Sequence, residues 1–558
     1  MAETAHIDQG AALDRDVSFD AIIVGAGFAG LYMLYRLRQA GLNARIYEQA
    51  DNVGGTWYWN RYPGARCDAE SLAYSYSFDE DLEQEWEWTE RYATQPEILR
   101  YIEHVAARHD LRRDIRFERT VTRASFSDHD GRWTVETAAG DRASARWCIM
   151  ATGCLSVPQI PAIEGLERFT GARYQASLWP HEGVDFSGQH VGVIGTGSSA
   201  IQAIPVIARA AERLTVFQRT PNFSVPARNG TLDPDWVREF KTYYRAHRRQ
   251  HQQALSSGFG DLEIVPRPMT PANASGHELT DVELVARCES YWQIGGARFM
   301  SVVGDALSDP QINARIADFV RAKIRATVRD PETAEALCPT SHPIGTKRIC
   351  VDSDYYETYN LPHVRLIDLQ KTPIEHITES GITLTDGAVA LDALVLATGF
   401  DAMTGALHRI DIRGRNALPL TDAWAAGPQT YLGLMTADFP NLFMITGPGS
   451  PSVLSNMLVS IEQHVDFIMG CLGHAQTRQA NRIEAQLKAQ QDWVTHVNAV
   501  ADETLFPQGG SWYLGANVPG KPRVFMPYAG GVGVYRALCD DVARDGYRGF
   551  TFTAGARA

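Results

Sequence analysis

Two stretches of the chain repeat one order of apolar and polar positions. In the first, an apolar run at 21–24 is followed by a glycine-rich turn and then by leucines at near-helical spacing, with Gly41 suited to the end of a helix. The stretch 189–218 repeats this order of strand, turn, helix and strand. The pattern therefore predicts an α/β fold with two separate units built on parallel strands.

The remaining segments indicate how these two units are connected. Apolar strand patterns at 147–153 and 393–399 both end in Ala-Thr-Gly, and they look like two crossings between the same two domains. Residues 229–335 are polar, with helical spacing and no phosphate loop, which predicts a helical insertion. We divide the chain into a flexible N-terminal arm at 1–18, a first domain at 19–154 and 392–558, a second domain at 155–228 and 336–391, and the insertion at 229–335.

Composition disfavours several classes of function. The 558 residues carry a formal charge of −14, whose field repels phosphates, so we expect neither a nucleic acid nor a membrane as partner. The eight cysteines contain no C-x-x-C pair, which argues against a structural zinc site and a disulfide-reducing dithiol. The N-terminus lacks a signal-peptide pattern, and no apolar run approaches the ~20 residues of a membrane span. We expect a cytoplasmic protein, a monomer or weak homo-oligomer, without a metal site.

The first glycine-rich turn has the spacing of a dinucleotide-binding loop. Gly25 permits the tight turn, Gly27 lets backbone amides approach a pyrophosphate, and Gly30 allows the helix to pack closely on the strand. The helix N-terminus adds about half a positive charge for the diphosphate. Glu48 ends the second strand, where a carboxylate can accept hydrogen bonds from ribose hydroxyls. These residues predict a nucleotide without a 2′-phosphate, either FAD or NAD.

The second glycine-rich turn has a different residue at the ribose position. Gly195, Gly197 and Ala200 repeat the spacing of the first turn, but Arg219 stands near the end of the following strand. An arginine offers a fork of donors and a full positive charge to a 2′-phosphate, which predicts NADPH rather than NADH. Two nucleotide sites of different type favour a flavoprotein reduced by NADPH.

Several longer motifs resemble those of one enzyme family. The pattern Gly55-x-Trp57-x₄-Tyr62-Pro63-Gly64-x₃-Asp68 and the segment 169–180, which ends in Trp179-Pro180, resemble the two fingerprints of type I Baeyer–Villiger monooxygenases (class B flavoprotein monooxygenases). The resemblance runs from about residue 19 to about residue 552. It implies two Rossmann-like dinucleotide-binding domains, one for FAD and one for NADP, with a helical insertion.

The resemblance also implies a reaction and two catalytic residues. An FAD- and NADPH-dependent enzyme of this family inserts one oxygen of O2 next to a ketone carbonyl, through a C4a-peroxyflavin and a Criegee adduct, and gives an ester or lactone. The peroxide must be deprotonated to attack as a nucleophile, and a permanent cation favours that anion. We expect Arg348 to be this cation, with Asp68 accepting its hydrogen bonds and orienting it.

Further site residues follow position by position from the resemblance. Lys347 and Arg348 are consecutive, so on an extended segment one can meet the 2′-phosphate while the other faces the flavin. The stretch 509–523 resembles a mobile loop that folds over bound NADP, and Ser452, Val453 and Leu454 resemble a bulge of the substrate pocket. The expected cofactor-binding residues are Gly25, Gly27, Phe28, Ala29, Gly30, Glu48, Thr56, Trp57, Tyr58, Trp59, Arg66, Cys67, Asp68, Tyr74, Val121, Met457, Gly195, Thr196, Gly197, Ser198, Ser199, Ala200, Arg219, Thr220, Lys347 and Trp512.

Two positions depart from the family pattern. Gln175 stands where the second fingerprint has a histidine, and a glutamine cannot become cationic. Cys154 follows the first Ala-Thr-Gly, near the expected flavin, where it is either a packed thiol or an influence on substrate range. Two other functions remain open: a flavin-containing N- or S-oxygenase, which needs no Arg348–Asp68 pair, and an uncoupled, NADPH oxidase-like flavoprotein.

Overall fold

The structure, a computed structural model, describes residues 13–253 and 274–554. Its larger sheet has eight strands around a parallel centre, in which Arg15–Val24 lies between Arg142–Met150 and Ala44–Tyr47. An antiparallel pair extends the sheet beyond Arg142–Met150. The order along the sheet is Asp411–Arg413, Val121–Ser127, Arg132–Thr137, Arg142–Met150, Arg15–Val24, Ala44–Tyr47 and Ile115–Arg116, and Leu442–Met444 also pairs with Arg142–Met150.

The second large sheet has five strands, all parallel. It contains the second predicted unit, since His190–Ile194 lies beside Arg213–Gln218. The strand Ala393–Leu396 pairs with His190–Ile194 on one side and with Ala172–Gln175 on the other. The predicted boundary at residue 392 is therefore wrong for this strand, which belongs to the second unit. The full order is Val364–Asp368, Arg213–Gln218, His190–Ile194, Ala393–Leu396 and Ala172–Gln175.

The predicted N-terminal arm at 1–18 overlaps the first strand. Its polar residues 1–12 lie outside the described part of the chain, but Arg15–Val24 is one continuous strand. Ser18 pairs with Ser144 inside the ladder, because backbone hydrogen bonds extend the strand through exposed polar residues that a hydrophobicity pattern does not mark. The described part of the predicted insertion is helical, and its last helix continues to Leu337, two residues past the predicted end.

Helices pack against both sheets and form most of the described part of the insertion. Buried side chains of the insertion, including Leu284 and Phe299, share one core with the second sheet. The α-helices are Phe28–Gln39, Thr56–Trp59, Glu80–Glu85, Gln95–Arg108, Ser198–Ala210, Pro234–Thr242, Tyr244–Gln252, Asp281–Ile294, Pro310–Thr327, Pro331–Leu337, Tyr355–Thr358, Gly405–His408, Leu420–Ala423, Met457–Thr477, Leu487–Asp502 and Val532–Arg544. The smaller sheets pair Ser224–Pro226 with Cys350–Asp352, Arg482–Ala485 with Phe550–Thr553, and Gly381–Leu384 with both Ile374–Thr378 and Gly387–Ala390.

The two large sheets are joined by two crossing segments that bond to each other. The amide of Asp401 donates to the carbonyl of Val157 at 2.9 Å, and the amide of Met403 donates to the carbonyl of Cys154 at 2.9 Å. Pro158 and Phe400 form an antiparallel bridge between them. Each segment follows one of the two Ala-Thr-Gly sequences, as expected for two crossings. We call residues 154–158 and 400–403 the crossing ribbon.

Candidate functional site

Each glycine-rich turn is pressed against the Ala-Thr-Gly segment of its own unit. Gly25 has a φ of +103°, and a Cβ there would lie 2.6 Å from the carbonyl oxygen of Ala151. Gly195 has a φ of +114°, and a Cβ there would lie 2.4 Å from the carbonyl oxygen of Ala397. These positions exclude a side chain, so both turns keep the close backbone path that a pyrophosphate requires.

The Glu48 carboxylate stabilises the first turn through hydrogen bonds to the backbone. This buried carboxylate accepts the amide of Ala26 at 2.6 Å and the amide of Ala50 at 2.9 Å. Burial raises its pKa, although the backbone amides oppose that shift. A carboxylate has about four acceptor positions, so two remain for hydroxyl donors. Glu48 thus supports the turn in addition to the ribose-binding role expected of it.

The segment with the first fingerprint faces this turn. A Cβ at Gly55 would lie 3.0 Å from the Cα of Gly27, so the two loops pack closely with no side chain between them. The helix Thr56–Trp59 follows Gly55, and the Trp57 indole donates to the Tyr74 hydroxyl at 3.1 Å. The two closely packed loops bring together residues that we expect in the FAD site. Their backbone donors and the aromatic side chains of the following helix fit a dinucleotide.

Three expected cofactor-binding residues make contacts elsewhere in the protein. The Arg66 guanidinium binds the Glu90 carboxylate at 2.8 Å, and its backbone contacts Gln202 of the second unit. The Tyr58 hydroxyl donates to Asp51 at 2.6 Å. Val121 is buried in the core behind the first sheet. For these residues the structure gives a structural role, and the cofactor role remains a prediction.

Two basic side chains converge beside the second turn. Burial lowers the pKa of Lys347, and the positive charge of Arg219 lowers it further. Within residues 13–253 and 274–554, neither side chain has an ion pair with a carboxylate. Thr220 follows the strand Arg213–Gln218, and its carbonyl accepts the hydroxyl of Thr196 in the turn at 3.0 Å. Two neighbouring cations without a counter-ion fit a phosphate group, as expected for a nucleotide with a 2′-phosphate.

Arg348 and Asp68 form a bidentate ion pair across the two units. The Arg348 Nε donates to Asp68 Oδ2 at 2.5 Å, and Nη2 donates to Oδ1 at 2.9 Å. The third bond runs from Nη1 to the Val453 carbonyl at 2.6 Å. Each side chain of the pair is only 20% exposed. The family resemblance predicted this contact, although the two residues are 280 positions apart.

The ion pair keeps both groups charged despite their burial. Burial alone would raise the pKa of Asp68, but Arg348 holds it below its usual value. Burial likewise disfavours the charged guanidinium, and the Asp68 carboxylate outweighs this and raises the pKa of Arg348. The three hydrogen bonds use three of the five guanidinium N–H groups. The arrangement therefore presents a fixed cation with donor capacity left for a reacting oxygen.

Residues of the expected substrate bulge and its neighbours surround this cation. Val453 fixes Arg348 through its carbonyl, while Ser452 and Leu454 are buried beside it in the chain. Burial raises the pKa of the Cys154 thiol to about 11, and the nearby Ser452 and Arg348 oppose the shift. Cys154 is thus a neutral thiol close to the ion pair, and its effect on substrate range remains a prediction.

The loop 509–523 is docked in this structure. Trp512 is partly buried against the core of the second unit. Tyr513 is fully buried; burial raises the pKa of its hydroxyl, and the charge of the neighbouring Arg348 opposes this. Sequence analysis missed Tyr513, although it adjoins Trp512 in the same motif. It also missed two loop residues, Asn517 and Lys521, which bind the crossing ribbon.

Gln175 lies at the end of an edge strand of the second sheet. Its amide nitrogen donates to the Ser177 hydroxyl at 3.4 Å, and its Oε1 is buried without a hydrogen-bond partner among the described residues. The strand pairs with Ala393–Leu396, directly before the second Ala-Thr-Gly. Gln175 therefore lies near the connection between the two units.

Within 13–253 and 274–554, no group of three or more histidine, cysteine or acidic side chains could hold a metal ion. No described helix combines the length and apolar character that crossing a membrane requires.

Comparison with known proteins agrees with this geometry. Residues 22–256 match the family described as pyridine nucleotide-disulphide oxidoreductase. The chain is 40% identical over 544 residues to the acetone monooxygenase (methyl acetate-forming) of Gordonia sp. (strain TY-5), covering 96% of this chain and 99% of that protein. It is 40% identical over 543 residues to the phenazine N-monooxygenase PhzNO1 of Lysobacter antibioticus, covering 96% and 98%.

A solved structure, oxidized steroid monooxygenase bound to NADP, has 50% sequence identity and a TM-score of 0.91, and the match covers 97% of this chain and 100% of that one. The fold and site thus define a flavin-dependent oxygenase with two dinucleotide domains. Within that class, the chain belongs to the Baeyer–Villiger monooxygenase family, which confirms the resemblance seen in the sequence.

Proposed function

We propose that this protein uses FAD, NADPH and O2 to insert one oxygen atom next to the carbonyl of a ketone, giving an ester or a lactone. The observation that carries the proposal is the Arg348–Asp68 pair, a buried, fixed cation at the junction of two dinucleotide-binding units. FAD, once bound and reduced by NADPH, supplies the activated oxygen. The chain's own residues hold the cofactors and stabilise the charge that develops.

Arg348 acts as an electrostatic catalyst. Attack of a nucleophilic oxygen on a ketone places negative charge first on the attacking oxygen and then on the former carbonyl oxygen. A guanidinium stays protonated at any physiological pH, and Asp68 strengthens this preference. Because Asp68 and the Val453 carbonyl already orient the group, its remaining donors need little reorganisation when the charge appears.

Arg219 and Lys347 select NADPH over NADH. Each is a cation without a carboxylate partner among the described residues, and their mutual repulsion is relieved when a dianionic 2′-phosphate lies between them. Burial and the charge of Arg219 lower the pKa of Lys347, and a phosphate beside it opposes that shift and favours its charged form. The adjacent Arg348 remains bound to Asp68, so the two consecutive cations serve two different anions.

A direct test compares a ketone with an amine. The purified enzyme receives NADPH and ¹⁸O2 with a panel of linear and cyclic ketones, or with tertiary amines, and the products are identified by mass spectrometry. We expect one ¹⁸O atom in an ester or lactone for each NADPH consumed. If no ketone in the panel is oxygenated, and oxidation of NADPH to NADP⁺ is matched by reduction of an equal amount of O2 to H2O2, the protein is an uncoupled oxidase.

N-oxygenation is the second candidate, and one specific observation favours it. The phenazine N-monooxygenase is as similar to this chain as the acetone monooxygenase, at 40% identity over nearly the whole length. Oxidation of nitrogen uses an electrophilic oxygen and draws no benefit from a cation that stabilises an oxyanion. An amine or phenazine N-oxide as the main labelled product would therefore establish this activity instead.

A further inference from the structure

A buried arginine of the helical insertion reaches into the first unit. Arg248 lies on the helix Tyr244–Gln252, and its side chain is only 6% exposed. Its Nε donates to Glu83 Oε1 at 2.8 Å, Nη1 donates to the Ala73 carbonyl at 2.9 Å, and Nη2 donates to Ser75 Oγ at 2.6 Å. All three acceptors belong to the first unit, so the guanidinium joins the insertion to that unit. No step of the proposed reaction uses this contact.

Arg248 and Tyr244 hold one short loop of the first unit by its backbone. The Tyr244 hydroxyl donates to the Leu72 carbonyl at 2.6 Å, and its ring centre lies 4.7 Å from the Arg248 guanidinium. The Arg248 Nη2 also donates to the Tyr76 carbonyl at 3.3 Å. We call residues 72–77 the tyrosine loop. Several bonds from one helix to its carbonyl groups fix the path of this loop.

The tyrosine loop packs directly on the start of the dinucleotide-binding helix. The Tyr76 hydroxyl donates to the Phe28 carbonyl at 2.5 Å. The Phe28 ring meets the rings of Tyr74 and Tyr76 edge to face, at centroid distances of 5.6 and 5.2 Å. Phe28 is the first residue of the helix after Gly27, at the end whose amides face the expected pyrophosphate. A shift of the tyrosine loop would therefore move the start of this helix.

The charge of Arg248 also compensates two buried carboxylates. Burial raises the pKa of Glu83 and the pKa of Glu462, and the charge of Arg248 opposes both shifts. Glu462 binds the far end of the tyrosine loop, where it accepts the Ser77 amide at 2.6 Å. A neutral side chain at position 248 would leave both carboxylates without this cation. The loop is thus held between a cation of the insertion and a carboxylate of the helix Met457–Thr477.

We propose that Arg248 is a positioning residue for FAD binding, which fixes the tyrosine loop and, through it, the first turn of the dinucleotide-binding helix. Because the same contacts join the two segments, bound FAD and the docked helix Tyr244–Gln252 stabilise each other. The helical insertion thereby influences how long the flavin stays bound. The proposal rests on FAD binding at the first glycine-rich turn, and it does not depend on the reaction that the flavin then supports.

The first test measures the release of FAD from the intact holoenzyme. Wild type and each variant are diluted into buffer without FAD, and the change in flavin fluorescence gives the release rate. Hydrogen bonds to charged groups are strong enough to change a local equilibrium by about tenfold or more. We expect Arg248→Met to release FAD at least about tenfold faster than wild type. Arg248→Lys keeps the charge but loses the fork of donors, so its rate should fall between the two.

Hydrogen–deuterium exchange tests the coupling between the flavin and the insertion. Exchange is followed by mass spectrometry at low and at saturating free FAD. In wild type, saturating FAD should slow exchange in residues 72–77 and in the helix 244–252 together. In Arg248→Met, FAD should still protect 72–77 but no longer protect 244–252. A side chain that only stabilised the fold would not change this response to FAD.

Two comparison variants make the result decisive. Arg238→Met removes an exposed arginine of the insertion that pairs with Asp235, and it should leave FAD release unchanged. Arg248→Met/Glu83→Gln also removes the carboxylate left unpaired, and it replaces the single variant if Arg248→Met does not fold. FAD release at the wild-type rate in the folded variants at position 248 overturns the proposal. So does an equal rise in exchange throughout both sheets, because this would show general destabilisation.

The experiment also separates this proposal from the proposed function. FAD release and exchange are measured without NADPH or ketone. If wild type oxygenates no ketone but Arg248→Met releases FAD faster, the proposed reaction fails and the role of Arg248 stands. If wild type forms esters and FAD release is insensitive to Arg248, the role of Arg248 fails and the reaction stands.

Discussion

Replacement of Arg348 by alanine is the sharpest perturbation of the proposed chemistry. It removes the two bonds to Asp68, the bond to the Val453 carbonyl, and the cation itself. A single preoriented donor to a developing oxyanion contributes about 10²–10³ in rate, roughly 2.7–4 kcal/mol. We expect oxygenation of a ketone to fall by at least this factor, while FAD binding and reduction by NADPH remain near wild type.

The same substitution leaves the Asp68 carboxylate without its partner. Removing one member of a buried pair costs about 3–5 kcal/mol of stability, and since both side chains are 20% exposed we expect the lower part of this range. The double variant Arg348→Ala/Asp68→Ala removes the unpaired charge and serves as the folded control. Arg348→Lys keeps a positive charge but loses the bidentate geometry, so its rate should fall between wild type and alanine.

The assay follows three quantities in one reaction: NADPH oxidised, H2O2 released and ester formed. In wild type the ester should match the NADPH consumed, whereas in both alanine variants H2O2 should replace it. Folding and cofactor content are checked by circular dichroism and by the flavin absorbance. A folded, flavin-loaded Arg348→Ala enzyme that forms ester within tenfold of the wild-type rate would refute the electrostatic role of this residue.

Three further predictions concern the cofactor sites and stability. Arg219→Ala should raise the KM for NADPH by about tenfold or more and leave the KM for NADH nearly unchanged, because the lost contact is to the 2′-phosphate. Steady-state kinetics with both nucleotides test this, and an equal rise in both KM values would contradict it. Gly30→Ala should prevent folding or FAD retention, since its Cβ would lie 1.9 Å from the Gly25 carbonyl oxygen; soluble, yellow protein at wild-type yield would contradict this. The pKa of Asp68 is lower in the folded state, so its pairing stabilises the protein above the unfolded pKa of about 4 and the benefit is lost as the pH falls through the folded value. Asp68→Asn should therefore lower the melting temperature at pH 7, and this effect should shrink only as the pH falls below about 4 toward the folded pKa.

The sequence predicted the parts of the fold whose signals are local. The turns at Gly25 and Gly195 were found because a strand, a fixed glycine spacing and a helix follow one another within about thirty residues, and the structure confirms the α/β fold of both units. The strand at 393–396 was also found, but it was assigned to the wrong unit. Its apolar run predicts that the strand is buried, but this pattern does not indicate which sheet the strand joins.

The contacts of the site were harder to predict, because they join distant segments. Arg348 and Asp68 were paired only through the family resemblance, since neither composition nor spacing relates two residues so far apart. Val453 was expected to shape the substrate pocket through its side chain, whereas the described contact to Arg348 uses its backbone carbonyl. A backbone acceptor has no residue type, so no sequence pattern could have revealed it.

The Arg348–Asp68 and Lys521–Asp401 ion pairs place the site at the junction between the units rather than inside either one. Arg348 belongs to the second unit and Asp68 to the first, while Lys521 of the C-terminal part binds Asp401 in the crossing ribbon. The Gly64 backbone also fits against the helix Ser198–Ala210 so closely that a Cβ would lie 2.5 Å from the Gln202 carbonyl oxygen. A cation held by one unit and oriented by a carboxylate of the other is correctly placed only when the units are correctly placed. The relative position of the two units therefore determines where this cation lies, and we expect substitutions in the ribbon to alter the reaction rate without touching a substrate.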